Sequence, residues 1–276
     1  MEDHVQKYRE AYEELSDLLT HAVALIDAQS GYVPNGDREF YAERIFTKMV
    51  CHGLSLQRLT PSPPFPGDEL WDISSSYAVA RSLIETYEAL AYVSLEPVDE
   101  KEREFRFLLW KLHAQERRRE MLRLIGSAHP EALGIETNIA ALRSAILGHP
   151  FTSTLSPAFR GKVARGETPP YHLSRAERDA RTGIDRDYHA AVIMHLSAHV
   201  HTHPFSIHQL FDFRAGNPDC VRLMAIPLRY CSAFLGRAIL GIRQLFAPRV
   251  PVMPPHLLQI ITNWGEVLSK GVKNVG

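Results

Sequence analysis

The chain has 276 residues, 45% of them hydrophobic, with 31 basic and 32 acidic side chains and a formal net charge of −1. That balance gives no general attraction to nucleic acid or to an anionic membrane, so any such contact must come from a local patch. The length allows one large core or a core with a packed subdomain, no apolar run reads as a bilayer span, and the charged start at Glu2, Asp3 and His4 lacks the pattern of a secretion signal.

A cytoplasmic chain is therefore expected, with no membrane partner. The three cysteines, Cys51, Cys220 and Cys231, lack the short spacings of a zinc or dithiol motif and are expected to be reduced core residues.

Apolar residues recur at three-to-four spacing along almost the whole chain while period-two alternation is nearly absent, which predicts an all-α fold. The expected architecture is an antiparallel bundle of about seven or eight helices. The first spans about residues 3 to 28, with Tyr8, Tyr12, Leu15, Leu19, Ala22 and Ile26 as its stripe, and ends in the turn from Gly31 to Gly36. The second runs from Asp37 to about Leu59, where Pro61, Pro63, Pro64 and Pro66 stop it. This proline segment predicts a boundary between an N-terminal helical hairpin, 1–60, packed on the core, and a main bundle, 68–276, the two forming one cooperative domain.

Leu70, Ile73, Tyr77, Ala80, Ile84, Tyr87 and Ala91 mark a third helix ending before Pro97, and Asp99 followed by Glu102 starts a fourth that reaches about Gly126. These two are expected to pair as an antiparallel hairpin. A fifth spans about 131 to 147. Residues 148–183, rich in Pro, Gly, Ser and Arg, read as a long connection interrupted by one short helix at the capping box Ser174 to Glu177. Three helices remain: about 184 to 203, about 218 to 246 with Asn217 as cap and a kink at Pro227, and about 256 to 270.

No glycine-rich phosphate loop, dinucleotide fingerprint, His-Glu-x-x-His pair or Gly-x-Ser-x-Gly elbow occurs. Two polar constellations stand out instead. On the third helix, Arg81 and Glu88 project within the apolar face and Glu85 lies on its flank. Buried charges require partners, and Arg81 with Glu85 at four-residue spacing supplies one pair. Such a pair is either structural or faces a cleft where arginine holds a phosphate.

The second constellation is the run of six histidines from His189 to His208. His195, His199 and His203 share one helix face, as a metal site would require, but no carboxylates can be assigned to them, so neither a metal nor any other cofactor is expected. His201 lies on the opposite side, one turn from Ser197, without the third group and oxyanion site of a hydrolase triad.

The stretches Asp72 to Tyr87, Phe107 to His113 and Leu196 to His201 resemble a bacterial family catalogued as a domain of unknown function, over about residues 70 to 240. That resemblance implies a helical fold and no particular activity. More remotely, the pairing of a helix bearing Arg81 and Glu85 with a later helix bearing His201 is similar to the HEPN superfamily of helical ribonucleases and nucleotide-binding proteins. Their signature is an arginine followed after four to six residues by a histidine. The sixth helix carries no arginine at that distance from His201; Arg106 with His113, Arg143 with His149 and Arg165 with His172 match it elsewhere.

Three functions compete. The first choice is a helical protein of unassigned activity, a non-catalytic module in a defence or stress response whose polar groups serve packing and which uses residues 148–183 to bind an unidentified protein. The alternative is a HEPN-like protein acting on RNA or a nucleotide without a metal, with Arg81 binding phosphate, His201 as acid or base and Glu85 orienting a partner. The third is a metalloprotein using His195 and His199. The HEPN resemblance also implies a homodimer.

Overall fold

The computed structural model describes residues 2–62, 65, 69–127, 130–208, 214 and 217–274. Among these there are eleven α-helices and no strand, so the chain is all-α, with more helices than the seven or eight expected. Leu70 and Arg214 form an isolated antiparallel bridge.

The helices are α1 (Glu2–Asp27), α2 (Asp37–Leu59), α3 (Ile73–Leu90), α4 (Glu100–Leu124), α5 (Pro130–Gly148), α6 (Pro157–Arg165), α7 (Arg175–Thr182), α8 (Arg186–Val200), α9 (Pro204–His208), α10 (Pro218–Leu245) and α11 (Pro255–Lys270). A π-helical turn, Ala91–Leu95, continues α3. Pro61 lies just past the end of α2 as expected; Pro63, Pro64 and Pro66 lie outside the described residues.

The chain divides into two compact units. One unit comprises 1–95 and 179–276, and the other is the continuous stretch 96–178. Residues 1–60 are thus part of the larger unit, because the stripe of α1 is buried against α10. Tyr8, Leu15, Leu18, Leu19, Ala22 and Leu25 join Met224, Leu228, Phe234, Leu235 and Ile239 in one apolar core.

Helix α2 packs on α1 and α3, and α3 packs on α8 and α10. Gly53 permits the approach of α2 to α1: a Cβ there would lie 2.5 Å from Leu19 Cδ2. By length and composition α10 is apolar enough to cross a bilayer, contrary to expectation, yet 72% of that apolar window is buried inside the protein. Cys220 and Cys231 are buried in α10, whereas Cys51 is exposed on α2 and is not the core residue expected; all three are free thiols.

Helix α10 runs through Pro227. Proline has no N–H for the carbonyl four residues before it, which here is that of Leu223. The hydroxyl of Tyr77 on α3 donates to this carbonyl at 3.0 Å. One buried phenol thereby satisfies the acceptor that the proline leaves open and ties α3 to α10.

The smaller unit is built on α4 and α5. Phe105, Leu109 and Leu112 of α4 pack with Ile135, Ile139 and Ile146 of α5 and Val163 of α6. The expected hairpin of the third and fourth helices would span the two units; within its own unit α3 packs on α2, α8 and α10, and α4 on α5.

Most of the connection read at 148–183 is helical. Pro150–Thr154 is a 3-10 turn, α6 follows with Ser156 as its cap and Pro157 in its first turn, and Ser174 and Glu177 cap α7 reciprocally, Ser174 N donating to Glu177 Oε2 and Glu177 N to Ser174 Oγ. This unit buries a dense ion network. Arg106, with no exposed surface, donates to Glu96 Oε2 at 2.6 Å and from two nitrogens to Glu102 Oε1 at 2.6 and 3.0 Å.

Candidate functional site

Arg81, Glu85 and Glu88 recur at i, i+4 and i+7 on α3 and so share the face turned to α8. The two helices run antiparallel, since Tyr77 near the start of α3 meets His199 near the end of α8, and Glu88 near the end of α3 meets His189 near the start of α8. Polar chemistry gathers at both ends of this seam.

At the open end, Arg81 Nε donates to Glu85 Oε1 at 2.9 Å, and Arg81 Nη1 donates to His201 Nε2 at 3.3 Å. The structure thus brings together the three residues singled out from the sequence. The Arg81 side chain is 23% exposed and that of Glu85 45%, so the cluster is reachable from solvent.

His201 caps the last turn of α8, its N–H bonded to Ser197 O at 3.0 Å. The Ser197 hydroxyl is turned back to Ile193 O, so Ser197 and His201 do not form the side-chain pair their spacing allows. Because guanidinium only donates, His201 accepts at Nε2 in this arrangement, which leaves its proton on Nδ1.

At the closed end, His189 is 1% exposed and held on both nitrogens, by Asp179 Oδ1 at 2.7 Å from Nδ1 and by Glu88 Oε1 at 3.2 Å from Nε2. Burial, the largest influence, opposes charge on the ring, but the hydrogen bonds and charges of Asp179 and Glu88 together outweigh it and raise its pKa above the ordinary histidine value. Glu88 is legible in the sequence as a charge within the apolar face, but its grouping with His189 and Asp179 is not. Their only signal was that His189 precedes Val192, Leu196 and His199 on the buried face of α8.

His195 and His199 lie on α8, whereas His203, expected on their face, falls past the end of the helix at Val200 with its ring 5.8 Å from that of His201. His199 is buried with its ring centroid 4.0 Å from that of Tyr77, and His195 lies 5.1 Å from Tyr77 and 6.0 Å from His199. His195 Nδ1 is 3.4 Å from Tyr230 Oη, and burial, then the neighbouring His199 and Arg222, lower its pKa. Among the described residues no three His, Cys, Asp or Glu side chains form a metal-binding group. Around His189 the two carboxylates sit on opposite ring nitrogens, which a single ion could not bridge.

In the smaller unit the three arginine–histidine spacings place their members in separate interactions. Arg106 is in the buried ion network, while His113 Nδ1 meets Thr168 O at 2.7 Å. Arg143 donates to Glu116 at 2.8 Å, and His149 accepts from Phe151 N at 3.2 Å. Arg165 pairs with Glu167 at 3.1 Å, and His172 Nε2 lies 3.5 Å from Glu102.

A cavity of about 280 Å³ opens on the larger unit between the start of α8 and the end of α11, lined by Asp185, Asp187, Tyr188, Lys270 and Lys273, away from the Arg81 cluster. Neither a family model, nor a curated protein, nor a solved structure matches this chain.

Proposed function

We propose that the Arg81–Glu85–His201 cluster is a phosphate-recognising acid–base site that cleaves RNA without a metal ion. The observation that carries this reading is the contact, at 3.3 Å, of a partly exposed guanidinium with Nε2 of the exposed residue His201. Glu85 holds Arg81 in place through Nε and leaves its terminal nitrogens to other acceptors.

A phosphodiester arriving at Arg81 takes over the donor that otherwise covers His201 Nε2. The freed lone pair then accepts the proton of the ribose 2′-hydroxyl, whose oxygen bonds to the adjacent phosphorus as the bond from phosphorus to the 5′-oxygen breaks. Arg81 balances the charge that develops on the phosphoryl oxygens, and a proton from solvent completes the leaving 5′-hydroxyl. The products are a 2′,3′-cyclic phosphate and a 5′-hydroxyl end.

The test is incubation of the purified protein with mixed RNA in chelator, beside His201→Ala and Arg81→Lys. We expect cleavage by the native chain, abolished by His201→Ala and cut at least tenfold by Arg81→Lys, because an ammonium cannot hold Glu85 and a phosphate in one plane. Equal inactivity of all three would reject the proposal.

A second reading, a non-catalytic interaction module, draws on the apolar side chains exposed near the same turn: Met194 at 73%, Phe205 at 54%, Ile207 at 40% and Val200 at 39%. It predicts an inactive native chain that captures a protein through this surface, with capture lost in Met194→Asp.

A further inference from the structure

The segment after α8 has a conformation that its sequence resists. Helices commonly end on a residue in the left-handed region, usually glycine. Here that residue is Thr202, at φ 52, and it is the one non-glycine with positive φ among the described residues. A β-branched side chain is strained there, yet the turn is held by His203 N donating to Ala198 O at 3.0 Å.

The consequence is that His201 and His203 lie nearly face to face, with ring centroids 5.8 Å apart and planes 29° from parallel. Pro204 then starts α9 and carries Phe205 to the surface, 54% exposed, where its ring lies 6.0 Å from that of His195. Three aromatic side chains within five residues are thus presented to solvent, and the first of them, His201, meets the Arg81 guanidinium.

A ligand matching this surface has a flat π-face and an anionic group on the same molecule. An unpaired nucleotide has both. Its base can stack on imidazole and phenyl faces while its phosphate meets arginine. A base inside a duplex keeps both faces stacked on its neighbours and presents neither to the protein.

We infer that the turn from His201 to Phe205 is a base-stacking platform, and that the substrate class of the site is single-stranded RNA. This rests on the ribonuclease reading for the reaction, but not for the binding. Phe205 is the principal stacking face and His203 the second; both orient the strand so that the phosphate next to the stacked base reaches Arg81.

The experiment uses the full chain, an unstructured fluorescein-labelled oligoribonucleotide of about twelve residues, and the same strand annealed to its complement. Binding by fluorescence anisotropy and cleavage kinetics are measured for the native chain, Phe205→Ala and Phe205→Tyr, with binding also measured for His201→Ala. The expected result is at least tenfold preference for the single strand. Phe205→Ala should weaken binding roughly tenfold, a loss seen more in KM than in kcat, and Phe205→Tyr should restore it.

Single-strand binding that depends on Phe205 without cleavage would support the platform and reject the ribonuclease. Cleavage of single strand and duplex at equal rates, or an unchanged KM in Phe205→Ala, would overturn the platform and leave the ribonuclease standing. Absence of both binding and cleavage would overturn both.

Discussion

At the scale of single residues, Tyr77 supports the large core more through its hydroxyl than its position alone indicates. The Leu223 carbonyl that it caps is left without a helical partner by Pro227, inside a region where water does not reach either group. Tyr77→Phe should cost about 1–3 kcal/mol, the desolvation penalty of a buried unsatisfied acceptor. In a Pro227→Ala background the restored N–H takes that carbonyl, and the same substitution should cost less than about 1 kcal/mol. A double-mutant cycle of denaturant midpoints measures the difference; equal costs in both backgrounds would mean that the phenol does not serve this carbonyl.

Such a pairing cannot be read from sequence, because the residues stand 146 positions apart. The Arg81–Glu85 pair was legible, since four-residue spacing on a helix is a local fact. His189 with Asp179 and Glu88 was not: the helix pattern marks His189 as buried, but only the fold supplies two carboxylates. The helical projection set His201 apart from His195 and His199, yet His199 meets Tyr77 and His201 meets Arg81, four residues on along α3, and the partner it offered, Ser197, satisfies itself on its own helix.

At the scale of elements, the long amphipathic helices were legible within a few residues because burial imposes a continuous apolar stripe. Of the short ones, α7 was legible through its capping box Ser174 to Glu177, and the others were not. Residues 148–183 also contain a 3-10 turn and α6 of 9 residues, lengths too short to show a period, and their prolines occupy first-turn positions where they start helices. The pairing of helices was also hidden, since spacing along the chain cannot show that α1 packs on α10 or α3 on α8 and α10.

The contact of α2 with α1 gives a prediction at this scale. Gly53→Ala places a methyl group against Leu19, which is 1% exposed and surrounded by core, so the two helices must separate slightly. We expect destabilisation of about 1–3 kcal/mol from overpacking, seen as a lower urea midpoint with an unchanged slope. Adding Leu19→Ala should recover part of that loss, whereas two fully additive costs would show that Gly53 is not set by this approach.

At the scale of the whole molecule, histidines of opposite kinds set the dependence of stability on pH. His189 has a raised pKa, so its contribution is complete below the ordinary value of about 6.5 and is lost as pH rises through its folded value. His195, His21 and His52 have lowered pKa values, each chiefly through burial. Their contributions are complete above about 6.5 and fall as acid protonates the unfolded chain in preference to the folded one.

The two trends meet near pH 6.5, where thermal stability between pH 5 and 8 should be greatest. His189→Gln should flatten the alkaline limb while leaving the acid limb in place, and His195→Gln should reduce the acid limb alone. Melting temperatures of the three proteins across that range check both signs. An alkaline decline that survives in His189→Gln would mean that Asp179 and Glu88 do not hold a charged imidazole between them, and the closed end of the α3–α8 seam would then be joined by neutral hydrogen bonds.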